Sequence, residues 1–540
     1  MNNADAWAAN FSRTSVGSVV QYASLDFFNS YSSCFDSMSS IVILLLLISS
    51  VLCDYWTQRE KLLNDEESLI MGSSIILSSN EKIVNDYLMK QKWEELDYGF
   101  KNPGSFIPAH HLFDILSYIE QSDVFHFIRN LPKGALLHGH DTALASGDYL
   151  YNLTFSDNLY ACIFNEKIHL KFLKEEANDF DCTWKPIQLL RETVRDFDVR
   201  LKQQLTLIRE NHRDVYTDIN VVWNYFTELF ITVDPLICFK PIFIDYFYQV
   251  LTELYEDNVF YIEFRTTLPT VYDLDGNTYG PVEVAGFYKQ VVDDFMLTHP
   301  EFLGAKLIYA PVRNVDEDVM EGYIDTVRVL KANFPDFLAG FDLVGQEDLG
   351  QPLVKFVNQL QEIKQEVNLF FHAGETNWFG SSTDENLIDA VLLGTLRIGH
   401  GYAALKRPEV LNIIKTHQIA IEICPISNQV LLLSDDMRNH PANYLIANGF
   451  PVVVSNDDPS FWGTKGLSYD WYMAFMGMTS RRTDLRFLKQ LAMNSIVYSV
   501  YHDKSLAMEM WQQQWDNFIN TLARKIMIDD INDSISLIRM

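Results

Sequence analysis

The chain has 540 residues, of which 48% are hydrophobic and 13% aromatic, so it can bury a large core and is not a disordered protein. Lysine and arginine total 42 against 72 aspartates and glutamates, which gives a formal charge of −30 at pH 7. Such an acidic surface repels phosphate backbones. We therefore expect no nucleic-acid binding, and a highly phosphorylated substrate is mildly disfavoured.

Residues 41–52 form an apolar run, IVILLLLISSVL, which has the length of a signal-peptide core and is short for a membrane span. A signal peptide normally starts with a short basic region, whereas 40 residues precede this run. A chain started at Met38 would read as a compact secretory signal. We interpret residues 1–53 as a leader with Met38 as its functional start, and we expect a secreted, extracellular protein. A signal anchor that retains the chain on a membrane is the alternative.

Six cysteines are present: Cys34, Cys53, Cys162, Cys182, Cys238 and Cys424. The first two lie in the leader or at its edge. Cys162 and Cys182 lie 20 residues apart in polar, turn-rich sequence, which suits a disulfide in an oxidising compartment. Cys238 and Cys424 lie inside apolar runs, so we expect them to be buried free thiols.

Residues 54–128 have a helical pattern, because apolar residues recur at spacings of three and four with charges between them. This region precedes the first predicted strand and has nothing of its own to enclose. We interpret it as a helical arm that serves as a dimer contact, and we expect a homodimer.

Residues 143–205 read as an insertion without clear periodicity. They contain the proposed disulfide and a sequon at Asn152, and a second sequon lies at Asn532. Both asparagines are candidate glycosylation sites in a secreted protein.

Eight strand-like runs alternate with helical ones in the catalytic region that we place at 129–540. The runs are 135–140, 258–265, 302–310, 337–345, 368–375, 396–401, 419–427 and 450–458. This alternation is typical of the α/β class and predicts a parallel (β/α)8 barrel of the TIM type. A doubly wound open sheet is the alternative, although no glycine-rich nucleotide loop supports it.

Polar side chains stand where several of these strands end. The first run ends in His138-Gly-His140-Asp141, and later runs end with His372, His400 and Asp457. Residues i and i+2 of a strand point to the same side, so His138 and His140 either bind a metal together or share a crowded polar core. The carboxyl ends of barrel strands meet at one face, which favours the metal.

The set of His138, His140, His372 and Asp457 offers three nitrogens and one oxygen, as in catalytic zinc sites that keep a position for water. Zinc lowers the pKa of such a water toward neutrality. His400, from a neighbouring strand, is placed to take a proton from that water or to hold it. Glu375 could donate a proton to a substrate, and Asp458 could accept a hydrogen bond from one.

The motifs LPKGALLHGHD, FFHAGETNW, RIGHGYA, EICPISNQVL and SNDDPSFWGTKGLSYD closely resemble those of the adenosine deaminase-related growth factors, the secreted branch of the adenosine deaminase family. The resemblance runs from about residue 85 to 525. It implies one zinc ion per chain, bound by the four residues named above. It also implies Glu375 as proton donor to the purine and His400 as the base acting on the zinc-bound water.

The resemblance further implies residues that contact the nucleoside: Asp141, Trp223, Glu228, the backbone of Gly345, and Asp458. It assigns dimerisation to the N-terminal helices, and contact with a receptor or a glycan to the inserted domain. Two positions depart from some relatives, because Val312 and Gln346 stand where a histidine is also seen. These departures spare the metal set and affect substrate preference. Residues 1–37 have no counterpart in the family.

We therefore expect a secreted adenosine deaminase that converts adenosine and 2′-deoxyadenosine to inosine and 2′-deoxyinosine plus ammonia. The first alternative is a secreted growth-factor-like ligand that signals through a receptor, with incidental catalysis. The second is a barrel deaminase of another amino-purine. The other class of zinc deaminase is excluded, because the sequence has no H-x-E with P-C-x-x-C.

Overall fold

The computed structural model describes residues 54–178 and 182–538. The expected leader, with Met38 and the apolar run 41–52, lies outside the described residues. Within the described ranges, no helix is both long enough and apolar enough to cross a membrane. Residues 54–69 are helical, and residues from 67 onward form one compact unit.

In that unit, the described residues contain eight parallel strands that follow one another around a barrel. The strands are β1 Gly134–Leu136, β2 Val259–Thr266, β3 Gly304–Tyr309, β4 Leu338–Phe341, β5 His372–Ala373, β6 Arg397–His400, β7 Ala420–Ile423 and β8 Val452–Val454. They pair in the order β1-β2-β3-β4 and β5-β6-β7-β8. Almost all of their residues are buried, as expected for strands that are covered on both faces.

Two isolated parallel bridges close these two sheets into one barrel. Phe341 at the end of β4 pairs with Leu369, and Gly139 after β1 pairs with Asp457 after β8. The predicted barrel is confirmed, and the open doubly wound sheet is wrong because the last strand returns to the first. Several predicted runs are longer than the strands. The run 419–427, for example, ends its strand at Ile423 because Pro425 starts a short helix.

Helices connect the strands and form the outer layer. After β1 come Ile219–Ile237 and Lys240–Glu256, and the later connections contain Pro281–Thr298, Glu317–Asn333, Val357–Ile363, Ser382–Leu393, Pro408–His417, Pro425–Val430 and Ala442–Ala447. Pro459–Trp462, Ser468–Gly477, Leu485–Val497 and Lys504–Ile538 follow β8. Some of these helices begin with a side-chain cap. The Asp218 carboxylate, for example, accepts hydrogen bonds from the backbone N–H groups of Asn220 and Val221.

The helices Ser79–Lys101, Leu112–Ile119 and Asp123–Asn130 pack on the chain's own barrel. The Trp515 indole N–H donates to Glu81 across 2.9 Å, and the Lys489 ammonium lies 2.6 Å from the same carboxylate. The backbone N–H of Leu112 donates to the Gln429 side chain across 2.8 Å. This part of the expected arm is therefore docked on the barrel and does not project freely. Its role in dimerisation stays a prediction.

The insertion 143–205 has a three-stranded antiparallel sheet at its centre, formed by Leu159–Phe164, Lys167–Phe172 and Lys185–Pro186. The short helices Gly147–Leu153, Ile187–Thr193 and Phe197–Gln203 accompany it. The predicted disulfide joins Cys162 to Cys182 with their Cα atoms 5.6 Å apart. Cys238 and Cys424 are buried free thiols, as expected. Asn152 and Asn532 are both exposed, and their glycosylation stays a prediction.

Replacing Cys162 and Cys182 together by serine should destabilise the inserted sheet by about 3 kcal/mol, because the cross-link closes a loop of 20 residues. Limited proteolysis between residues 159 and 186 and the melting temperature would measure the effect. Cys238→Ala removes a buried thiol but no cross-link and serves as the control. Equal protease resistance of the double variant and the wild type would contradict the expectation.

Candidate active site

The predicted metal set converges at the carboxyl ends of the barrel strands. His138 and His140 follow β1, His372 begins β5, and Asp457 follows β8. One donor atom from each of these four residues lies within 4.8 Å of the donor atoms of the others. Oδ1 of Asp457 lies 3.2 Å from Nε2 of His138 and 3.1 Å from Nε2 of His140. The sequence thus identified four groups that the fold brings to one point.

The backbone around this point is specialised. His400 and Asp457 both have φ of 59°, in the left-handed region that non-glycine residues rarely adopt. Such strained conformations persist where the surrounding structure fixes them, and they concentrate at functional sites. A Cβ atom on Gly139 would lie 2.6 Å from the end of the Leu144 side chain, so a larger residue between His138 and His140 would force Leu144 to move.

Two buried carboxylates orient the histidines of the set. Nδ1 of His138 lies 2.7 Å from Oε2 of Glu422, and Nδ1 of His372 lies 2.6 Å from Oδ2 of Asp342. Burial raises the pKa of each carboxyl, but the neighbouring cations and histidines outweigh it and hold both pKa values below the ordinary range. The ionised carboxylates can only accept hydrogen bonds, so both Nδ1 atoms donate. Each Nε2 is then free to face the metal position.

A guanidinium links these two carboxylates. Nε of Arg265 lies 2.8 Å from Asp342, and its Nη2 lies 2.7 Å from Glu422. Below it, Arg397 contacts Glu422 at 2.5 Å and Glu263 at 2.7 Å. All five side chains are fully buried inside the barrel. This ionic layer was not predicted from the sequence. The available signal was a charged residue inside an otherwise apolar strand, as with Glu422 in β7.

The donor set fits a metal ion. Nε2 of His138 and Oδ1 of Asp457 are buried and make no hydrogen bond of ordinary geometry to any described residue. Leaving such atoms without a partner is costly, and a cation at this point would satisfy both. Three imidazole nitrogens with one carboxylate oxygen are the donor types of catalytic zinc. The Cys424 thiol also lies within 4.8 Å of the donor atoms of His138, His400 and Asp457.

Glu375 lies beside the metal set and is held by its backbone. Its N–H donates to Oε1 of Glu347 across 2.8 Å, and its own Oε1 is buried without a hydrogen-bond partner among the described residues. Burial, and then the negative charges of Asp457 and Glu347, raise the pKa of Glu375 well above its ordinary value. The raised pKa favours the protonated carboxyl, which is the form that could donate a proton.

His400 lies on the other side of the set. Its Nε2 is 3.9 Å from Oδ2 of Asp457, and its Nδ1 is 3.7 Å from Oε1 of Glu375. Nδ1 is also 3.1 Å from the side-chain amide nitrogen of Asn428. Burial lowers the pKa of His400 well below its ordinary value, so the imidazole is neutral.

The expected nucleoside-binding residues fall into two groups. The Asp458 carboxyl is buried and its Oδ1 has no hydrogen-bond partner among the described residues. Burial, and then the charge of Asp457, raise its pKa. Gly345 has φ of 101°, and a Cβ there would meet no atom within 4 Å, so its backbone borders open space. Both features suit contact with a ligand.

The other three candidates make contacts within the protein. The Asp141 carboxylate accepts hydrogen bonds from the Tyr288 hydroxyl and from the backbone N–H of Thr142. The Trp223 ring packs on Phe226, and Glu228 pairs with Lys167 of the insertion across 2.5 Å. Among the described residues, no hydrogen bond, ion pair or ring contact joins Trp223 or Glu228 to the metal set. Their roles toward a substrate stay predictions.

The two departures from the family pattern lie near the surface. Val312 is 47% exposed, and the Gln346 amide donates to the Asn220 side chain across 2.8 Å. That hydrogen bond joins the loop after β4 to the helix Ile219–Ile237. Neither position contacts the metal set.

Comparisons with known proteins agree with this site. The family model described as adenosine deaminase matches residues 178–510, and the model described as adenosine/AMP deaminase N-terminal matches residues 41–128. An adenosine deaminase of Phlebotomus duboscqi is 47% identical over 471 residues, covering 86% of this chain and 91% of the relative. Human adenosine deaminase 2 is 41% identical over 479 residues, covering 86% and 94%.

Solved structures support the fold. The N6-mAMP deaminase of Arabidopsis has a TM-score of 0.52 at 18% identity and covers 72% of this chain and 99% of that one. The adenine deaminase of Arthrobacter aurescens has a TM-score of 0.50 at 20% identity, covering 71% and 98%. The chain is a hydrolytic deaminase and belongs to the adenosine deaminase family, in the branch of the adenosine deaminase-related growth factors.

Proposed function

We propose that this protein is a secreted, zinc-dependent adenosine deaminase that hydrolyses adenosine and 2′-deoxyadenosine to inosine and 2′-deoxyinosine plus ammonia. The observation that carries the proposal is the convergence of four donor groups, two of them with unpartnered buried atoms, beside a buried carboxyl whose pKa is raised. The names of the relatives, adenosine deaminase and adenosine deaminase 2, support the choice of substrate.

The residues divide the chemistry between them. His138, His140, His372 and Asp457 would hold one zinc ion, which when bound supplies a water activated for attack at neutral pH. Glu375 gives its proton to N1 of the purine, which makes C6 electrophilic. Water adds at C6 and gives up its two protons, one to the exocyclic nitrogen and one to the Glu375 carboxylate. The bond from C6 to the exocyclic nitrogen breaks, that nitrogen leaves as ammonia, and Glu375 is protonated again. His400 acts on the attacking water, while Asp458 and the backbone of Gly345 contact the purine.

A substrate panel tests the proposal directly. The ultraviolet absorbance should fall when purified protein meets adenosine or 2′-deoxyadenosine, and adenine and AMP are the comparison substrates. Metal analysis of the same sample should give about one zinc per chain. Faster turnover of AMP or adenine than of adenosine would overturn the proposed substrate, and activity in a zinc-free sample would overturn the zinc dependence.

Removing the metal should also destabilise the protein. A ligand that binds only the folded state stabilises it by about 4 kcal/mol when present at 1,000 times its dissociation constant. Chelation should therefore lower the melting temperature together with activity, and added zinc should restore both. Mg²⁺, which prefers oxygen ligands, is the control and should restore neither. An unchanged melting temperature after complete zinc removal would contradict the expectation.

We also propose the assembly that the resemblance implies: a homodimer formed through residues 54–128, glycans at Asn152 and Asn532, and an inserted domain that contacts a receptor or a glycan. The exposure of both asparagines supports their modification. Light scattering of the secreted protein would give the oligomeric state. Peptide mass spectrometry after deglycosylation would show whether each asparagine was modified.

A further inference from the structure

A chain of three buried hydrogen bonds ends on His400. The backbone N–H of Ala442 lies 3.1 Å from Nδ1 of His440. Nε2 of His440 lies 3.0 Å from Oδ1 of Asn428, whose Nδ2 lies 3.1 Å from Nδ1 of His400. His440, Asn428 and His400 are all buried. The chain of contacts connects the start of the helix Ala442–Ala447 with the side of His400 that faces away from Asp457.

The direction of these three hydrogen bonds is set by the backbone N–H of Ala442. A backbone N–H can only donate, so Nδ1 of His440 must accept. Burial lowers the pKa of His440 to about 3, so the ring is neutral and carries one proton. That proton therefore stands on Nε2, which donates to Oδ1 of Asn428. The orientation of the Asn428 amide follows, with its oxygen toward His440 and its NH2 group toward His400.

The orientation of the Asn428 amide in turn fixes the position of the His400 proton. The Asn428 amide donates to Nδ1 of His400, so Nδ1 presents its lone pair and holds no proton. The other groups around the ring do not reverse this. Oε1 of Glu375 is 3.7 Å from Nδ1, beyond hydrogen-bond distance, and the rings of His138 and His372 are tilted against His400 with centroids 4.9 and 5.2 Å away. Because Nδ1 accepts from Asn428, the ring proton of His400 is on Nε2, the nitrogen that faces Asp457 and the metal position.

We propose that Asn428 and His440 are positioning residues that hold His400 in the tautomer with its proton on Nε2. His400 then presents a hydrogen-bond donor to the attacking water and stabilises the negative charge that develops on it. It does not remove the first proton from that water. The inference rests on the proposed function for the role of His400, but the tautomer itself is a property of the resting protein.

The tautomer can be read without any turnover. In protein labelled with ¹⁵N at histidine, the shifts of Nδ1 and Nε2 distinguish the two tautomers, and His400→Asn identifies the His400 signals by their loss. We expect His400 of the wild type to have an unprotonated Nδ1 and a protonated Nε2. A protonated Nδ1 in the wild type would overturn the proposal, whether or not the protein deaminates adenosine.

Two variants at residue 440 distinguish the hydrogen bond that His440 donates to Asn428 from the space that its side chain fills. His440→Gln can still donate to Asn428 and should keep the tautomer and kcat within about twofold of the wild type. His440→Leu removes the donor, leaves the Asn428 amide free to turn over, and should lower kcat by about tenfold or more with little change in KM, as expected for loss of a group that acts in the transition state. Equal kcat in the two variants would overturn the role of His440.

Asn428→Asp reverses the polarity, since an ionised carboxylate accepts from both neighbours and draws the His400 proton to Nδ1. We expect a protonated Nδ1 and a fall in kcat of about a hundredfold. If the tautomer reverses and kcat stays the same or rises, His400 acts as a base and the proposal is wrong. A buried aspartate at position 428 could retain its proton and so fail to reverse the polarity. Asn428→Leu is the second variant for that case, because leucine makes neither hydrogen bond. It should also lower kcat.

Discussion

Glu375→Gln should lower kcat for adenosine by about a thousandfold or more while the zinc content of the protein stays unchanged. A positioned proton donor contributes on the order of 10²–10⁴ to a rate, and a glutamine amide has the same shape but no proton to give. Glu375 is not among the four donor groups at the metal position, so its replacement leaves them intact. Steady-state kinetics and metal analysis of the same preparation would measure both effects.

The control for this variant is Glu385→Gln, on the exposed side of the helix Ser382–Leu393. The Glu385 carboxylate is 55% exposed and lies 3.8 Å from Arg407, so its charge is screened by solvent and its loss should leave kcat unchanged. If Glu375→Gln kept wild-type turnover, Glu375 would not be the proton donor. If it lost zinc as well as turnover, the four-residue ligand set would be incomplete.

The sequence was sufficient to predict the barrel and the convergence of the four candidate metal ligands, because both follow from local patterns. Eight apolar runs in βα alternation specify the strands, and polar residues at their carboxyl ends must meet at one face of the barrel. His138, His140, His372 and Asp457 could therefore be grouped although more than 300 residues separate the first from the last. The disulfide between Cys162 and Cys182 was predicted from spacing and composition for a similar reason.

The ionic layer below the metal set could not be predicted in this way. Arg265 lies in β2, Asp342 directly follows β4 and Glu422 lies in β7, so their contacts depend on the relative shift of those strands around the closed barrel. A charged residue inside a buried strand signals that a partner exists, but it does not identify the partner. The docking of the helix Ser79–Lys101 was missed because its amphipathic pattern fits a partner chain as well as the chain's own C-terminal helices. The roles of Asn428 and His440 were not predicted, because a sequence does not show which side chains hydrogen-bond to each other or in which direction.

Arg265→Met should be the most damaging single change in the barrel interior. The guanidinium is fully buried and contacts both Asp342 and Glu422. Removing one partner of a buried ion pair costs about 3–5 kcal/mol of folding free energy, because the remaining charge stays buried without compensation. Here two carboxylates lose a partner, although Asp342 keeps His372 and Glu422 keeps His138 and Arg397.

The same change should also weaken metal binding. Asp342 and Glu422 hold the Nδ1 protons of His372 and His138, and loss of such support typically costs 10–100-fold in metal affinity. Urea unfolding of the zinc-loaded protein and titration with a competing chelator would measure the two effects separately. Arg328→Met is the matched control, because Arg328 pairs with Glu362 and Glu366 at the surface, where ion pairs contribute about 0–1 kcal/mol. If Arg265→Met were as mild as this control in both measurements, the buried guanidinium would not be what holds the two carboxylates, and through them the metal-binding histidines, in place.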